Sequence, residues 1–77
     1  MPTVLILDGF RFYFFSAEGS EPAHIHVSKM QEGKFGLYPS VKTEYFYGFT
    51  VSEKRSINEI ITANRPLFME KWNEYFG

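Results

Sequence analysis

The stretch Val4-Leu5-Ile6-Leu7-Asp8-Gly9-Phe10-Arg11-Phe12-Tyr13-Phe14-Phe15 decides the fold. Two apolar runs flank Asp8-Gly9, a dipeptide that suits a two-residue hairpin turn because both turn positions need positive φ. Such a turn sets the register. Leu7 falls opposite Phe10, Ile6 opposite Arg11, Leu5 opposite Phe12 and Val4 opposite Tyr13. Side chains alternate with period two, so Leu5, Leu7, Phe10, Phe12 and Phe14 share one face. Val4, Ile6, Arg11, Tyr13 and Phe15 share the other. The first face is the expected core. The second is unusually apolar for a solvent face, and either more chain or a partner is expected to cover it.

Working outward, Ala17 to Pro22 is a polar loop. Ala23 to Lys29 reads as a third strand, with Ile25 and Val27 on one face and His24, His26 and Ser28 on the other. Gln31-Glu32-Gly33 marks a turn. Lys34 to Tyr38 reads as a fourth strand with Phe35 and Leu37 aligned, ended by Pro39, which has no N–H for a ladder. Val41 to Tyr47 is a short edge strand or an extended loop. Thr50-Val51-Ser52-Glu53 fits a helix capping box. Ile57, Ile60, Ile61 and Asn64, then Phe68, Trp72 and Tyr75, follow at helical spacing. Pro66 disfavours the helical conformation at Arg65 and removes a donor, so one helix from Val51 to about Ala63 and a second from Pro66 are expected. A single kinked helix is the alternative.

Composition narrows the class. The chain has 77 residues, enough for one domain, taken as residues 1–77. A chain this short buries only about 60–65% of the surface its unfolded form exposes. Nine Phe, five Tyr and one Trp supply the dense core that this requires. There is no Cys, which excludes disulfides and thiolate metal sites. The formal net charge of −1 lacks the basic footprint of a nucleic-acid binder, so nucleic acid is not an expected partner. No apolar run approaches the ~20 residues of a membrane-spanning helix. Met1-Pro2-Thr3 lacks the basic region of a signal peptide, and a cytoplasmic location is expected. The overall expectation is an α+β fold, a small mainly antiparallel sheet of three to five strands within residues 3–47, packed against one or two C-terminal helices within 51–76.

The most distinctive chemistry lies in Glu21-Pro22-Ala23-His24-Ile25-His26-Val27, which holds both histidines of the chain. Imidazoles at i and i+2 of a strand point the same way, with Cβ atoms roughly 6.5–7 Å apart. Three readings fit. His24 and His26 could supply two ligands to Zn²⁺, with Glu18, Glu21 or Asp8 as a third. They could act as general base and general acid in RNA cleavage, with Arg11 or Lys29 stabilising phosphate charge. They could also pack on a half-exposed sheet face or line a protein interface, using a ring face and a hydrogen-bonding edge. The third is the leading reading, and no cofactor is expected. Elsewhere, Tyr45-Phe46-Tyr47-Gly48-Phe49 lacks the flanking cations of a base-stacking platform and reads as packing. Trp72, Tyr75 and Phe76 read as a helix stripe on the sheet, with an interface anchor as the alternative.

These segments together resemble a bacterial family of unknown function, of about this length, with a P-P-H-[IV]-H-V signature. The likeness rests on the Asp8-Gly9 hairpin, aromatic Phe12-Tyr13-Phe14, the Glu21 to Val27 segment, Gly48-Phe49-Thr50 and the closing Trp72-Asn73-Glu74-Tyr75-Phe76-Gly77. Ala23 stands where the family usually has a second Pro, and Pro66 where its helix usually continues. The resemblance implies a small α+β domain, often encoded beside a second short protein in a pair like a toxin–antitoxin module. It implies no catalytic residue. The expected function is an interaction module whose His24, His26, Tyr13, Arg11 and Glu21 surface binds a partner protein or a second copy. A small ribonuclease or metal-dependent hydrolase using His24 and His26, with Arg11, is the alternative.

Overall fold

Asp8 and Gly9 take φ of 53° and 81°, the left-handed pair that a tight hairpin turn demands. They join β1 (Thr3–Leu7) to β2 (Phe10–Tyr13) in a computed structural model that describes residues 3–15 and 20–77. β3 (His24–Ser28), β4 (Glu32–Gly36) and β5 (Lys42–Tyr47) follow, then α1 (Val51–Phe76). The five strands form one antiparallel sheet in chain order, and the helix covers one face. This is the expected α+β architecture, with the sheet at the upper end of the expected strand count.

The expected register holds for Leu7, Ile6 and Leu5 and then breaks. An irregularity between Thr3 and Leu5 puts Thr3, not Val4, opposite Tyr13. A bulge adds one residue to a strand and turns the next side chain to the other face. Val4 thereby joins Leu5 against the core instead of the open face. Leu7 departs too: at the hairpin end it is 40% exposed.

β4 begins at Glu32, earlier than the sequence indicated, and Lys29 to Gln31 make the turn. Gly33 is therefore a strand residue. Phe46 fills the space a side chain would occupy there, since a Cβ would lie 3.0 Å from the Phe46 ring. Of Val41 to Tyr47, Lys42–Tyr47 forms an edge strand, and Phe46, not Tyr45 or Tyr47, turns to the core.

The helix is continuous for 26 residues with Pro66 inside it, so the expected break does not occur. The reason is tertiary. Ile57, Ile60 and Ile61 before the proline, and Phe68 and Trp72 after it, bury on the same sheet face. Phe68 lies 5.5 Å from Phe12, and Trp72 lies 5.3 Å from Phe14, centroid to centroid. That burial, each large side chain contributing about 1.5–3 kcal/mol, outweighs the local cost of proline. The capping box forms as the sequence indicated. Glu53 N–H donates to the Thr50 hydroxyl at 3.1 Å, and Thr50 N–H donates to the Glu53 carboxylate at 2.9 Å.

Candidate functional site

Pairing across the strands writes out the sheet face opposite the helix. One row runs Ile6, Arg11, Ser28, Glu32, Tyr47. The next runs Thr3, Tyr13, His26, Lys34, Tyr45. A third holds His24 beside Gly36 and Lys42. Both imidazoles thus leave the same side of β3, as their i, i+2 spacing requires.

The two rings are not half-exposed, as the sequence suggested. His24 is 2% exposed and His26 3%, and Tyr13 beside them is buried as well. Aromatic neighbours achieve this. His26 stacks on Tyr13 at 5.5 Å and takes Phe15 against it at 4.4 Å. His24 meets His26 edge to face at 5.2 Å, and Trp72 of α1 at 4.9 Å. His24 Nδ1 lies 2.9 Å from the Pro22 carbonyl, an acceptor, so this nitrogen carries the proton. The apolar excess expected on this face is therefore partly covered by the chain itself.

Arg11 lies at the other end of the stack. Its guanidinium sits 4.4 Å over the Tyr13 ring, and its Nε donates to the Thr3 hydroxyl at 2.8 Å. The bulge at Val4 brings Thr3 into that position. Tyr13 separates Arg11 from the imidazoles. Burial pushes the Tyr13 phenol above its ordinary value, reinforced by the charges of Glu32 and Tyr45 and opposed by Arg11 and a hydrogen bond with Ser28. Lys29 points elsewhere, 5.4 Å over Phe10 and 3.9 Å from Glu53, so it does not join the histidines.

The carboxylates considered as a third metal ligand are dispersed. Glu21 pairs with Lys34 at 3.1 Å. Asp8 sits in the hairpin turn, at the opposite end of the sheet from His24. Glu18 lies outside the described residues. Among the described residues no group of three His, Cys, Asp or Glu side chains could hold a metal ion.

Beside His24 opens a cleft of about 430 Å³, whose walls include Glu21, Lys34, Gly36, Tyr38 and Lys42. Sequence reasoning missed Lys34, Tyr38 and Lys42 as neighbours of this histidine. One signal was available: Gly36 interrupts a strand, and a glycine there leaves room next to its cross-strand partner. No helix among the described residues is long and apolar enough to cross a membrane.

The buried histidine pair and most of the helix behind it lie within the span that a family model, the domain of unknown function DUF4160, matches, residues 9–73. The chain belongs to the DUF4160 family. The matched span runs from the hairpin turn through the histidine segment and past Trp72, so it holds both imidazoles and the ring that meets His24. No curated protein and no solved structure matches the chain. The family is one of unknown function, so membership assigns no activity.

Proposed function

We propose that this DUF4160 chain is an interaction module that binds a partner protein through the sheet face opposite α1. The observation that carries this reading is the row Ile6, Arg11, Ser28, Glu32, Tyr47. It crosses all five strands, no helix or strand among the described residues covers it, and Ile6 and Tyr47 are 68% and 64% exposed. Tyr45 stacks on Tyr47 at 5.1 Å and extends the aromatic surface into the next row. Tyrosine and arginine dominate the energetics of protein interfaces, because each offers a broad apolar area with a polar handle. Arg11 and Glu32 carry opposite charges in the same row, which suits a protein of mixed charge better than a polyanion.

The binding residues foreseen in the sequence divide accordingly. Arg11 belongs to the contact surface. Tyr13, His24 and His26 form the buried support beneath it, and Glu21 with Lys34 stands beside that support. The resemblance noted in the sequence adds the identity of the partner: the second short protein of a two-gene pair. Co-expression with the product of the adjacent gene tests this. A co-purifying complex is expected, weakened about tenfold or more by Tyr47→Asp or Arg11→Glu, with thermal melting unchanged. A neighbour that never co-purifies, or a complex indifferent to both substitutions, overturns the reading.

The cleft beside His24 favours a second reading, a small ribonuclease or metal-dependent hydrolase using His24 and His26, with zinc as the candidate metal. Toxicity on expression that disappears in His24→Ala and His26→Ala variants that still fold would support it. Less than one zinc per chain in untagged protein would argue against the metal form.

A further inference from the structure

We infer that the cleft beside His24 receives a basic side chain of the partner protein, a lysine or an arginine, seated over the bare backbone of Gly36. The inference rests on the partner-binding reading and deepens it by naming the chemistry of one anchor. The cleft opens on the same sheet face, in the row of His24, Gly36 and Lys42. Its volume of about 430 Å³ leaves room for one long side chain.

Gly36 is the observation that points to an occupant. Glycine weakens the interior of a strand, and it serves there for a bulge, an unusual backbone angle or a close approach. The two glycines of β4 differ in this respect. At Gly33 a Cβ would lie 3.0 Å from both the Phe46 ring and the Tyr45 carbonyl oxygen, so packing excludes a side chain. At Gly36 a Cβ would meet nothing nearer than 3.7 Å, an ordinary contact. Positive φ belongs to Gly9 and Gly48, not to Gly36. The irregularity in this ladder puts its extra residue, Glu44, on β5. Neither packing nor backbone conformation asks for Gly36, which leaves close approach by an incoming group.

Charge at that spot selects the group. The atoms nearest the absent Cβ are the Lys42 carbonyl oxygen at 3.7 Å, the Lys42 Cβ at 3.8 Å and Glu44 Oε1 at 3.9 Å. Both polar atoms are acceptors, and the nearest charge is a carboxylate. A bulge re-aims the side chain it carries, here that of Glu44. Among the described residues Glu44 makes no ion pair, whereas the Lys34 ammonium, also in the cleft, is held by Glu21 at 3.1 Å. A guanidinium or ammonium entering here gains a charge-assisted hydrogen bond to Glu44. The exposed Tyr38, which lines the same cleft, supplies an aromatic ring for the cation.

Titration of the full chain with n-butylguanidinium, an arginine side chain without its backbone, tests the inference by NMR amide shifts. It needs no partner, so its failure is distinct from a neighbour that never co-purifies. Saturable shifts at Gly36 and Glu44 are expected, with a Kd of about 1–20 mM for so small a probe, and none from butyrate. Glu44→Gln should weaken the probe about fivefold or more, and the neighbour complex by a similar factor. Gly36→Ala should melt no lower than the native chain and still weaken the probe. Butyrate that binds as well as the cation overturns the inference, as does the lack of any saturable shift at about 100 mM probe. So does a Gly36→Ala variant that melts clearly lower, because the glycine would then serve the fold.

Discussion

The Tyr13 ring lies nearly parallel to the His26 imidazole, 21° apart with centroids at 5.5 Å, and carries the Arg11 guanidinium on it at 4.4 Å. His26 in turn meets His24, and His24 meets Trp72. A continuous line of aromatic contacts therefore runs from the hairpin, through both imidazoles, to the last turns of the helix. It passes from the open face of the sheet to the helix side and ties the two together. The histidines hold the middle of that line.

Removing either ring should then cost stability. His24→Ala and His26→Ala each leave a void between aromatic neighbours, and a loss of about 2–3 kcal/mol is expected for each. The rings touch, so the double variant should deviate from the sum of the two. Urea unfolding monitored by Trp72 fluorescence measures all three. Values below about 0.5 kcal/mol would show that the rings do not support the fold.

The raised phenol of Tyr13 makes a second prediction. Its ordinary value is 10.0, and burial, with Glu32 and Tyr45, pushes it up in the folded chain. The folded state therefore holds this proton more tightly than the unfolded state. The resulting stability is fully present below the unfolded value and is lost as pH rises through the folded one. Unfolding free energy should fall above pH 10.0 in the native chain. Tyr13→Phe should flatten that fall at the cost of the Ser28 hydrogen bond. Equal alkaline slopes in the two proteins would remove Tyr13 as the cause.

The residues that were legible in the sequence are those governed by local rules. Asp8-Gly9 encodes its own turn, Thr50 and Glu53 encode their cap, and period two puts His24 and His26 on one side of β3. What was not legible depends on non-local packing. Nothing local announces the bulge at Val4, which moves Thr3 under Arg11. Trp72 reaches His24 only because the helix passes Pro66 unbroken. Part of the burial of His26 comes from Phe15, which the hairpin register puts on the right face without showing that it reaches His26.

Pro66 gives a third prediction. A proline within a helix removes the hydrogen bond to the carbonyl four residues back, here Thr62, and costs about 3 kcal/mol locally. Pro66 is exposed, so replacement disturbs no packed neighbour. Pro66→Ala should stabilise the chain by about 1–3 kcal/mol, part of the gain being offset by the freer unfolded chain. A higher urea midpoint with an unchanged slope is the expected reading, and a lower midpoint would show that the proline supports the fold.

Arg65, just before that proline, gives the fourth. It reaches across to the loop after β4, where its Nε donates to the Leu37 carbonyl at 2.7 Å and a terminal nitrogen donates to the Pro39 carbonyl at 3.1 Å. Those carbonyls belong to the loop whose Tyr38, Pro39 and Ser40 line the cleft beside His24. The helix thus fixes one wall of the cleft through a single guanidinium. Arg65→Met keeps most of the apolar stem and removes both charged hydrogen bonds, each worth about 1.5–3 kcal/mol at most, less where water replaces them. A loss of about 1–3 kcal/mol is expected, with faster amide exchange confined to residues 37–41. Arg65→Lys should recover only part of it, because a single ammonium cannot span two carbonyls as a planar fork does. Exchange that is unchanged at those residues in Arg65→Met would show that the loop holds its shape without the helix.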